Sequence, residues 1–485
     1  MSNTLRNYCY PDVKLFIANE WRNASDGQTI PILDPATGEV IGTVACATRF
    51  DLEQAVSAAE EGFSNWRDVA PHERAAILGK AAQLLRTRID EIAWVLTREQ
   101  GKPLAQAVSE INASADITDW LAEEGRRTFG RVIPSRTPNV LQYTIKLPVG
   151  TVAAFTPWNF PVGQVAVKLA AALAAGCSVI VKAPEETPAS PAALIQAFVD
   201  AGLPSGVVSL VYGVPSDISM FLIPHPAIDK ISFTGSLLVG KHLASLAGQY
   251  MKRSTMELGG HAPVLVFNDA DIESAVDILV TTKFRNAGQV CSSPTRFLIQ
   301  EAVADRFIDR FINATRLLRI GNGLEPGVQM GPLANERRAP ILEALVEDAL
   351  KHGAELVIGG RRLDKPGNFF PPTILLNVPA SARVMNEEPF GPVVLLNRFD
   401  TLDEAIKEAN RLPCGLASYA FSSSAFTIHA VSTRVVAGMT TINHNGLGLP
   451  EVPFGGVRDS GYGEEGGPDA IEPYIFNKFI TQHSE

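Results

Sequence analysis

The chain has 485 residues, of which 46% are hydrophobic and 19% are charged. These values are typical of a soluble globular protein, and the length predicts two or three domains. The net charge of −10 argues against a nucleic-acid-binding surface.

The N-terminal segment is not a secretory signal, because residues 1–20 lack a basic region followed by an apolar stretch. The longest apolar run, Leu169–Val181, is too short to span a bilayer. Five cysteines and eight histidines are scattered without paired spacing. We therefore expect free thiols in a reducing cytoplasm, no metal site and no membrane partner.

The first part of the chain predicts short strands followed by helices. Residues 14–45 combine strand patterns with turn chemistry at 34–38. From Asp51, the expected N-cap, apolar residues recur every three or four positions. Further helices are predicted over 71–86, 89–100 and 104–126. We interpret all of these helices as solvated and assign them no chemical role.

Residues 130–148 alternate between apolar and polar side chains, which predicts a half-exposed β-hairpin. An exposed strand edge pairs readily with another chain unless something covers it. A partner subunit is one such cover.

From residue 150 onward, strands alternate with helices. The predicted strands cover 151–155, 178–181, 207–211, 230–233, 262–266 and 296–300. The predicted helices cover 162–175, 190–201, 216–223, 303–318 and 337–352, with others beginning near 239 and 271. This alternation predicts parallel strands with right-handed crossovers and a ligand at their carboxyl ends. A second α/β unit is expected to begin near residue 259.

The first predicted parallel strand ends in the sequence Thr-Pro-Trp-Asn-Phe-Pro at 156–161. Two prolines restrict the backbone of this turn, so the Asn159 side chain is held in place. A fixed amide at the carboxyl end of a strand can donate to a developing oxyanion. The alternative is an Asn that only caps the loop.

Two later strand ends carry residues suited to a nucleotide. Lys182 and Glu185 could bind a ribose, and a Glu there repels a 2′-phosphate; the alternative is a surface ion pair. Gly235 and Ser236 open a helix where backbone N–H groups can approach a phosphate. The full Gly-x-Gly-x-x-Gly fingerprint is absent from this loop.

Glu257 and Cys291 form the pair around which the chemistry is organised. A thiol nucleophile and a carboxylate base can take an acyl group onto sulfur and release it to water. The alternatives are a buried apolar Cys and a Glu that belongs to a turn. Two further loops are of interest. The loop at 387–392 has a carboxylate beside an aromatic ring, and the loop at 453–463 is rich in glycine.

Six motifs in this order resemble the NAD(P)-dependent aldehyde dehydrogenase superfamily. They lie at 156–161, 233–236, 257–260, 288–291, 388–392 and 453–456. The resemblance covers nearly the whole chain and implies an α/β fold. Its implied parts are a Rossmann-like NAD-binding domain at 1–129 and 149–258, an α/β catalytic domain at 259–458, and a β-hairpin oligomerisation arm at 130–148 with 473–485.

The resemblance also implies roles for individual residues. Cys291 is the implied nucleophile and Glu257 the base, while Asn159 and the Cys291 backbone N–H form the oxyanion site. Contacts with NAD, or less favourably with NADP, are implied for Thr156, Trp158, Lys182, Glu185, Gly235, Ser236, Leu258, Glu388 and Phe390. Phe160 and Arg285 are the implied substrate contacts.

These roles predict NAD-dependent oxidation of an aldehyde to a carboxylic acid. A free thiol with a pKa of ~8.5 is mostly protonated, so Cys291 must lose its proton to its surroundings or to a base. We expect the sulfur to be presented in ionised form and to attack the aldehyde carbon. After hydride transfer, Glu257 activates the water that hydrolyses the thioester.

The segments 121–127, 182–188 and 283–289 are most similar to succinate-semialdehyde and α-ketoglutaric-semialdehyde dehydrogenases. Arg285 matches an arginine that clamps the distal carboxylate in those enzymes; the alternative is a structural ion pair. Their second arginine is replaced by Val167, just before Lys168. A single arginine binds the distal carboxylate of a substrate less tightly than two arginines do. A longer aliphatic or aromatic aldehyde is therefore an alternative substrate.

Two alternative interpretations of the sequence assign the protein a different activity. A CoA-acylating or phosphorylating dehydrogenase would not need the hydrolytic base that Glu257 supplies. A structural or binding relative without activity would not need Cys291, Glu257 and Asn159 together. The resemblance further implies a homodimer or a homotetramer.

Overall fold

The computed structural model describes residues 8–484. The outer ends of the expected ranges 1–129 and 473–485 lie outside the described residues, as does the start of the segment tested for a signal. Among the described helices, none combines the length and the apolar character needed to cross a bilayer.

The helices are numbered here in chain order. They are α1 Arg49–Trp66, α2 Pro71–Thr87, α3 Ile89–Gln100, α4 Leu104–Gly125, α5 Pro161–Ala175, α6 Ala189–Ala201, α7 Pro215–Leu222, α8 Leu237–Gln249, α9 Ile272–Phe284, α10 Glu301–Arg316, α11 Arg338–Lys351, α12 Leu402–Ala409 and α13 Ala425–Arg434. Most lie within two residues of the ranges that the sequence predicts.

The strands are numbered in the same way. They are β1 Leu15–Ile17, β2 Glu20–Arg22, β3 Thr29–Leu33, β4 Val40–Ala45, β5 Arg131–Ile133, β6 Val140–Pro148, β7 Thr151–Phe155, β8 Ser178–Lys182, β9 Val208–Val211, β10 Ile228–Gly235, β11 Arg253–Leu258, β12 Ala262–Val266, β13 Pro294–Gln300, β14 Glu355–Ile358, β15 Thr373–Leu376, β16 Val393–Phe399, β17 Cys414–Gly415, β18 Ala417–Phe421, β19 Met439–Ile442, β20 Val457–Arg458, β21 Gly461–Tyr462 and β22 Ile475–His483.

The N-cap of helix α1 lies three residues earlier than expected. Asp51 is not the N-cap; Thr48 is, and its hydroxyl accepts from the Asp51 N–H at 3.3 Å. The Asp51 carboxylate in turn accepts from the Thr48 N–H at 2.9 Å. The sequence prediction was wrong here because Asp51 completes a reciprocal capping box from inside the first turn.

The larger of the two main sheets has eight strands in the order β2-β1-β9-β8-β7-β10-β11-β21. Strands β9, β8, β7, β10 and β11 run parallel, as the alternation of strands and helices predicts. The chain moves outward in one direction from β7 and in the other from β10. This reversal between β7 and β10 creates a crevice at the carboxyl ends of the strands, where such sheets bind ligands.

The second main sheet has seven strands in the order β14-β15-β16-β13-β12-β18-β19. All neighbours are parallel except β14 and β15. Helices α9, α10 and α11 pack their apolar faces against it and form a second hydrophobic core. Strand β13 follows directly after Cys291, so this sheet sets the position of the nucleophile loop.

A small antiparallel sheet joins the predicted hairpin to the C-terminal segment. Its order is β22-β6-β5, and β22 pairs with β6 from Ile475 opposite Pro148 to His483 opposite Val140. Apolar side chains on this sheet remain exposed, including Val132 at 78% and Phe479 at 55%. Exposed apolar residues grouped on one sheet are typical of an association surface.

Candidate active site

The loop that precedes β13 presents Cys291 through a sharp change of direction. Asn286 and Ala287 have φ values of 50° and 52°, in the left-handed region of backbone conformation that residues other than glycine rarely adopt. A Cβ at Gly288 would collide with the main chain of Gly391, so only glycine fits there. The Gln289 side chain braces the turn, donating to Asn286 O at 3.0 Å and accepting from Ala334 N at 3.0 Å.

Asn159 lies in the turn after β7 and is bound directly to the nucleophile loop. Its amide Nδ2 donates to the main-chain oxygen of Gln289 at 3.1 Å, while its Oδ1 is buried without a partner. Its own main-chain oxygen accepts from Asn286 Nδ2 at 2.9 Å. The second N–H of the Asn159 amide is available for another acceptor.

Two buried charges from the region of α4 hold the same turn. Lys102 donates to Asn159 O at 2.8 Å, and Glu110 accepts from the N–H groups that begin α5. The interpretation of these helices as solvated is therefore wrong at Glu110, which is buried in α4. The sequence periodicity of α4 does not reveal these contacts, because it does not show which element packs against the buried face of the helix.

Glu257 ends β11 beside Thr234 of β10. Its side chain is 2% exposed, and neither carboxyl oxygen has a hydrogen-bond partner among residues 8–484. Burial raises the pKa of Glu257 well above its ordinary value; Glu465 and Glu464 add to the rise, and Lys168 opposes it. A buried carboxyl group without a hydrogen-bond partner costs folding free energy and is typical of a functional site that binds a ligand or a proton.

Lys168 and Glu465 form a buried ion pair close enough to affect Glu257 electrostatically. Sequence reasoning missed both residues. The only available signal was a carboxylate inside the glycine-rich stretch 463–467, which by itself is typical of a turn.

Cys291 is half-buried and lines a cavity of about 440 Å³. Burial raises the pKa of the Cys291 thiol to about 12, and the carboxyl groups of Glu388 and Glu257 add to the rise. The surroundings therefore favour the neutral thiol. The expectation that the protein presents this sulfur already ionised is therefore not supported, because burial raises its pKa and the Arg285 guanidinium only opposes that rise.

Arg285 and Phe160 line the same cavity as Cys291. The guanidinium of Arg285 lies 5.4 Å from the centre of the Phe160 ring, and within residues 8–484 it forms no salt bridge. The structural ion pair considered as an alternative for Arg285 is thus absent from this part of the chain. The remaining wall is mostly apolar and includes Val167, with the rings of Tyr419 and Phe454.

Five of the predicted cofactor residues lie along the carboxyl edge of the eight-stranded sheet. Thr156, Lys182, Gly235 and Ser236 each stand at the end of a parallel strand, and Glu185 forms an ion pair with Lys182 at 2.5 Å. Ser236 is the N-cap of α8 but makes no side-chain capping bond. The first N–H groups of α8 are therefore free to bind an anion.

The other four lie where the two main sheets meet. Trp158 and Phe390 pack edge to face with ring centres 5.6 Å apart, and Phe390 has a φ of 41°. The Glu388 carboxyl packs against Gly259 so closely that a Cβ there would collide with it. Burial raises the pKa of Glu388 to about 8. Leu258 is buried against α8, where only glycine fits at Gly240.

The structure thus brings Cys291, Arg285 and Phe160 to one cavity. Asn159 and Glu257 do not line this cavity but are buried behind it. Asn159 is bonded to the nucleophile loop. Glu257 lies close to Glu465, which does line the cavity. Within residues 8–484, no three His, Cys, Asp or Glu side chains are grouped as metal ligands.

Comparison with known proteins places this arrangement in context. The profile described as "Aldehyde dehydrogenase family" matches residues 21–480. A 4-(hydroxymethyl)benzenesulfonate dehydrogenase of Comamonas testosteroni is 47% identical over 96% of this chain and 97% of its own length. The succinate-semialdehyde dehydrogenase [NADP(+)] of Escherichia coli K12 is 39% identical over 96% of both chains.

Among solved structures, the succinate-semialdehyde dehydrogenase from Burkholderia pseudomallei superimposes with a TM-score of 0.96. It is 39% identical and covers 100% of this chain and 99% of its own. The resemblance inferred from the six motifs is confirmed, and so is the α/β fold. This chain belongs to the aldehyde dehydrogenase family.

Proposed function

We propose that this enzyme oxidises a semialdehyde, an aldehyde with a distal carboxylate, to the corresponding dicarboxylic acid with NAD as the oxidant. The observation that supports this most is one cavity lined by a thiol and by an arginine without a salt bridge, Cys291 and Arg285. An isolated guanidinium is suited to bind the far carboxylate while the thiol meets the aldehyde carbon.

The proposed chemistry begins with loss of the Cys291 proton, because burial favours the neutral thiol. Glu257 is the proposed base for this proton and later for water. Sulfur bonds to the aldehyde carbon, and the resulting oxyanion is held by the Asn159 amide and the Cys291 backbone N–H. Collapse of this oxyanion would expel the aldehyde hydrogen as hydride to bound NAD and leave an acyl–sulfur bond, while Glu257 returns its first proton to solvent. Glu257 then takes a proton from water, whose oxygen bonds to the acyl carbon and displaces the sulfur as a thiolate. The thiolate regains the proton from Glu257 as the carboxylic acid leaves.

The residues at the carboxyl edge of the eight-stranded sheet fit a dinucleotide. The hydroxyls of Thr156 and Thr234 are buried there without partners, and the N-terminus of α8 has no side-chain cap. When bound, NAD supplies a ring that accepts the hydride. Glu185 favours NAD because its charge repels a 2′-phosphate, although the E. coli relative is named for NADP(+).

We also propose the domain division implied by the resemblance: 1–129 with 149–258 for NAD, 259–458 for catalysis, and 130–148 with 473–485 for subunit contact. The exposed apolar side chains of the three-stranded sheet support this last role. A homodimer or a homotetramer would cover them.

A second candidate substrate is an aromatic aldehyde with a distal anionic group. Val167 and the rings of Phe160, Tyr419 and Phe454 give the cavity a wall suited to a flat apolar spacer. The Comamonas relative is named for a benzenesulfonate. A sulfonate would occupy the position proposed for the carboxylate at Arg285.

A panel of aldehydes tests these proposals through NADH absorbance. We expect the specificity constants of succinic semialdehyde and 4-formylbenzenesulfonate to exceed those of propanal and benzaldehyde at least ~10-fold. A faster reaction with 4-formylbenzenesulfonate than with succinic semialdehyde would favour the second candidate. Equal constants for charged and uncharged aldehydes would contradict the role of Arg285. NADH formation that requires coenzyme A would contradict hydrolysis by Glu257.

A further inference from the structure

Lys102, between α3 and α4, and Glu110, within α4, place two opposite charges beneath the turn that carries Asn159. The side chains of Lys102 and Glu110 are 0% and 2% exposed, and they are paired at 2.5 Å. The Lys102 ammonium also donates to the main-chain oxygen of Asn159 at 2.8 Å. Glu110 lines the cavity but Lys102 does not, so Lys102 does not meet the substrate directly.

Glu110 holds the other side of the same turn. Its second oxygen accepts from the N–H groups of Val162 at 3.0 Å and Gly163 at 3.2 Å. These groups belong to the first turn of α5, where a carboxylate is favoured by the helix dipole. The pair therefore fixes the carbonyl of Asn159 on one side and the beginning of α5 on the other.

Stability alone does not require such a pair, because an apolar pair of similar volume is often at least as stable as a buried ion pair. The direction of its hydrogen bonds is more informative. A rotation of the Asn159–Phe160 peptide would turn the Asn159 carbonyl away from Lys102 and reorient the residue that carries the amide. Oxyanion donors lose effect when they are displaced by a fraction of an ångström.

We propose that Lys102, held by Glu110, is a positioning residue that sets the direction of the Asn159 amide toward the oxyanion of the substrate. This inference rests on the proposed function, since it takes Asn159 as the oxyanion donor. It also explains why Phe160, the next residue, has the Lys102 ammonium 4.1 Å from its ring centre. Lys102 holds the turn without lining the cavity, while Phe160 lines the cavity.

A double-mutant cycle separates this role from a purely structural one. The double variant Lys102→Met/Glu110→Gln removes both charges together and leaves neither one buried alone. We expect it to lower kcat at least ~10-fold in the parental enzyme. In the Asn159→Ala background it should change kcat less than ~2-fold, because the amide that it positions is already gone.

The NAD dissociation constant should stay within ~2-fold of the parental value, since neither residue lies at the cofactor edge. The matched control is Arg74→Met, which removes another buried cation that bonds only main-chain oxygens in described residues. The control should leave kcat unchanged in both backgrounds. Equal slowing by the double variant in both backgrounds, or parental turnover from it, would overturn the positioning role.

Glu110→Gln alone provides a second cycle, because Gln keeps an oxygen for the α5 N–H groups and weakens the hold on Lys102. It should slow the parental enzyme and not the Asn159→Ala enzyme. Near-normal turnover of Asn159→Ala itself would instead contradict the oxyanion role in the proposed function. The two failures are therefore distinguishable.

Discussion

The Asn159 amide donates to the main-chain oxygen of Gln289 at 3.1 Å, two residues before Cys291. This bond joins the turn after β7, in the eight-stranded sheet, to the loop before β13, in the seven-stranded sheet. The candidate site is thus assembled from both α/β units, and each unit supplies groups that the other lacks.

Arg285→Met tests the anchor for the distal anion. We expect KM for succinic semialdehyde to rise at least ~10-fold, because a charge-assisted hydrogen bond is lost. KM for propanal should change little, since propanal has no anion. Initial rates with both aldehydes measure the difference, and Arg127→Met, at an exposed arginine two residues after α4, is the control. A parallel rise for both aldehydes would remove Arg285 from substrate recognition.

Glu185→Ser tests the choice of cofactor. Removing the carboxylate frees Lys182 from its ion pair and removes the repulsion of a 2′-phosphate, so we expect the NAD-to-NADP ratio of specificity constants to fall at least ~10-fold. The parental ratio should favour NAD. Glu186→Ser is the control, because that carboxylate pairs with Arg337. A parental preference for NADP would contradict the ribose assignment.

The pH dependence of turnover should report Glu257. Its pKa is raised, so the group stays protonated to higher pH, and only its deprotonated form can accept a proton from water. We therefore expect kcat to increase with pH, with a midpoint above the ordinary range of carboxyl groups. Lys168→Met should move this midpoint upward, because the Lys168 ammonium lowers the pKa of Glu257. A midpoint that stays fixed or falls would contradict the assignment.

The parts that were predictable from sequence are those where local chemistry decides the structure. Strand β7, strand β12 and helix α3 have the predicted bounds, because their buried runs end at prolines, glycines or turn residues. The motif residues lie at the carboxyl ends of strands, as parallel topology requires. Their roles came from the resemblance and not from spacing.

The parts that sequence reasoning missed depend on contacts between distant elements. Lys102 reaches the Asn159 carbonyl across 57 positions, Glu110 reaches the Val162 N–H across 52, and Lys168 pairs with Glu465 across 297. No periodicity within a helix reveals which buried charge faces which loop. The rise in the pKa of the Cys291 thiol was also not predictable, because it follows from burial beside Glu388 and Glu257.

Cys291→Ser tests the nucleophile. We expect oxidation to fall at least ~10³-fold, because a serine hydroxyl is far less nucleophilic without an adjacent base of matched pKa. NAD binding, measured by calorimetry, should be retained. Cys9→Ser, at an exposed free thiol, should leave both properties unchanged. Loss of NAD binding in Cys291→Ser would place this residue in the cofactor site instead.

The central claim is that an acyl group passes through the Cys291 sulfur and leaves only when Glu257 activates water. Intact mass spectrometry of Glu257→Gln after mixing with NAD and succinic semialdehyde tests it most directly. The account predicts one stoichiometric burst of NADH and a protein heavier by the acyl group, with the added mass absent from Cys291→Ser/Glu257→Gln. Sustained turnover by Glu257→Gln, with no added mass, would contradict it.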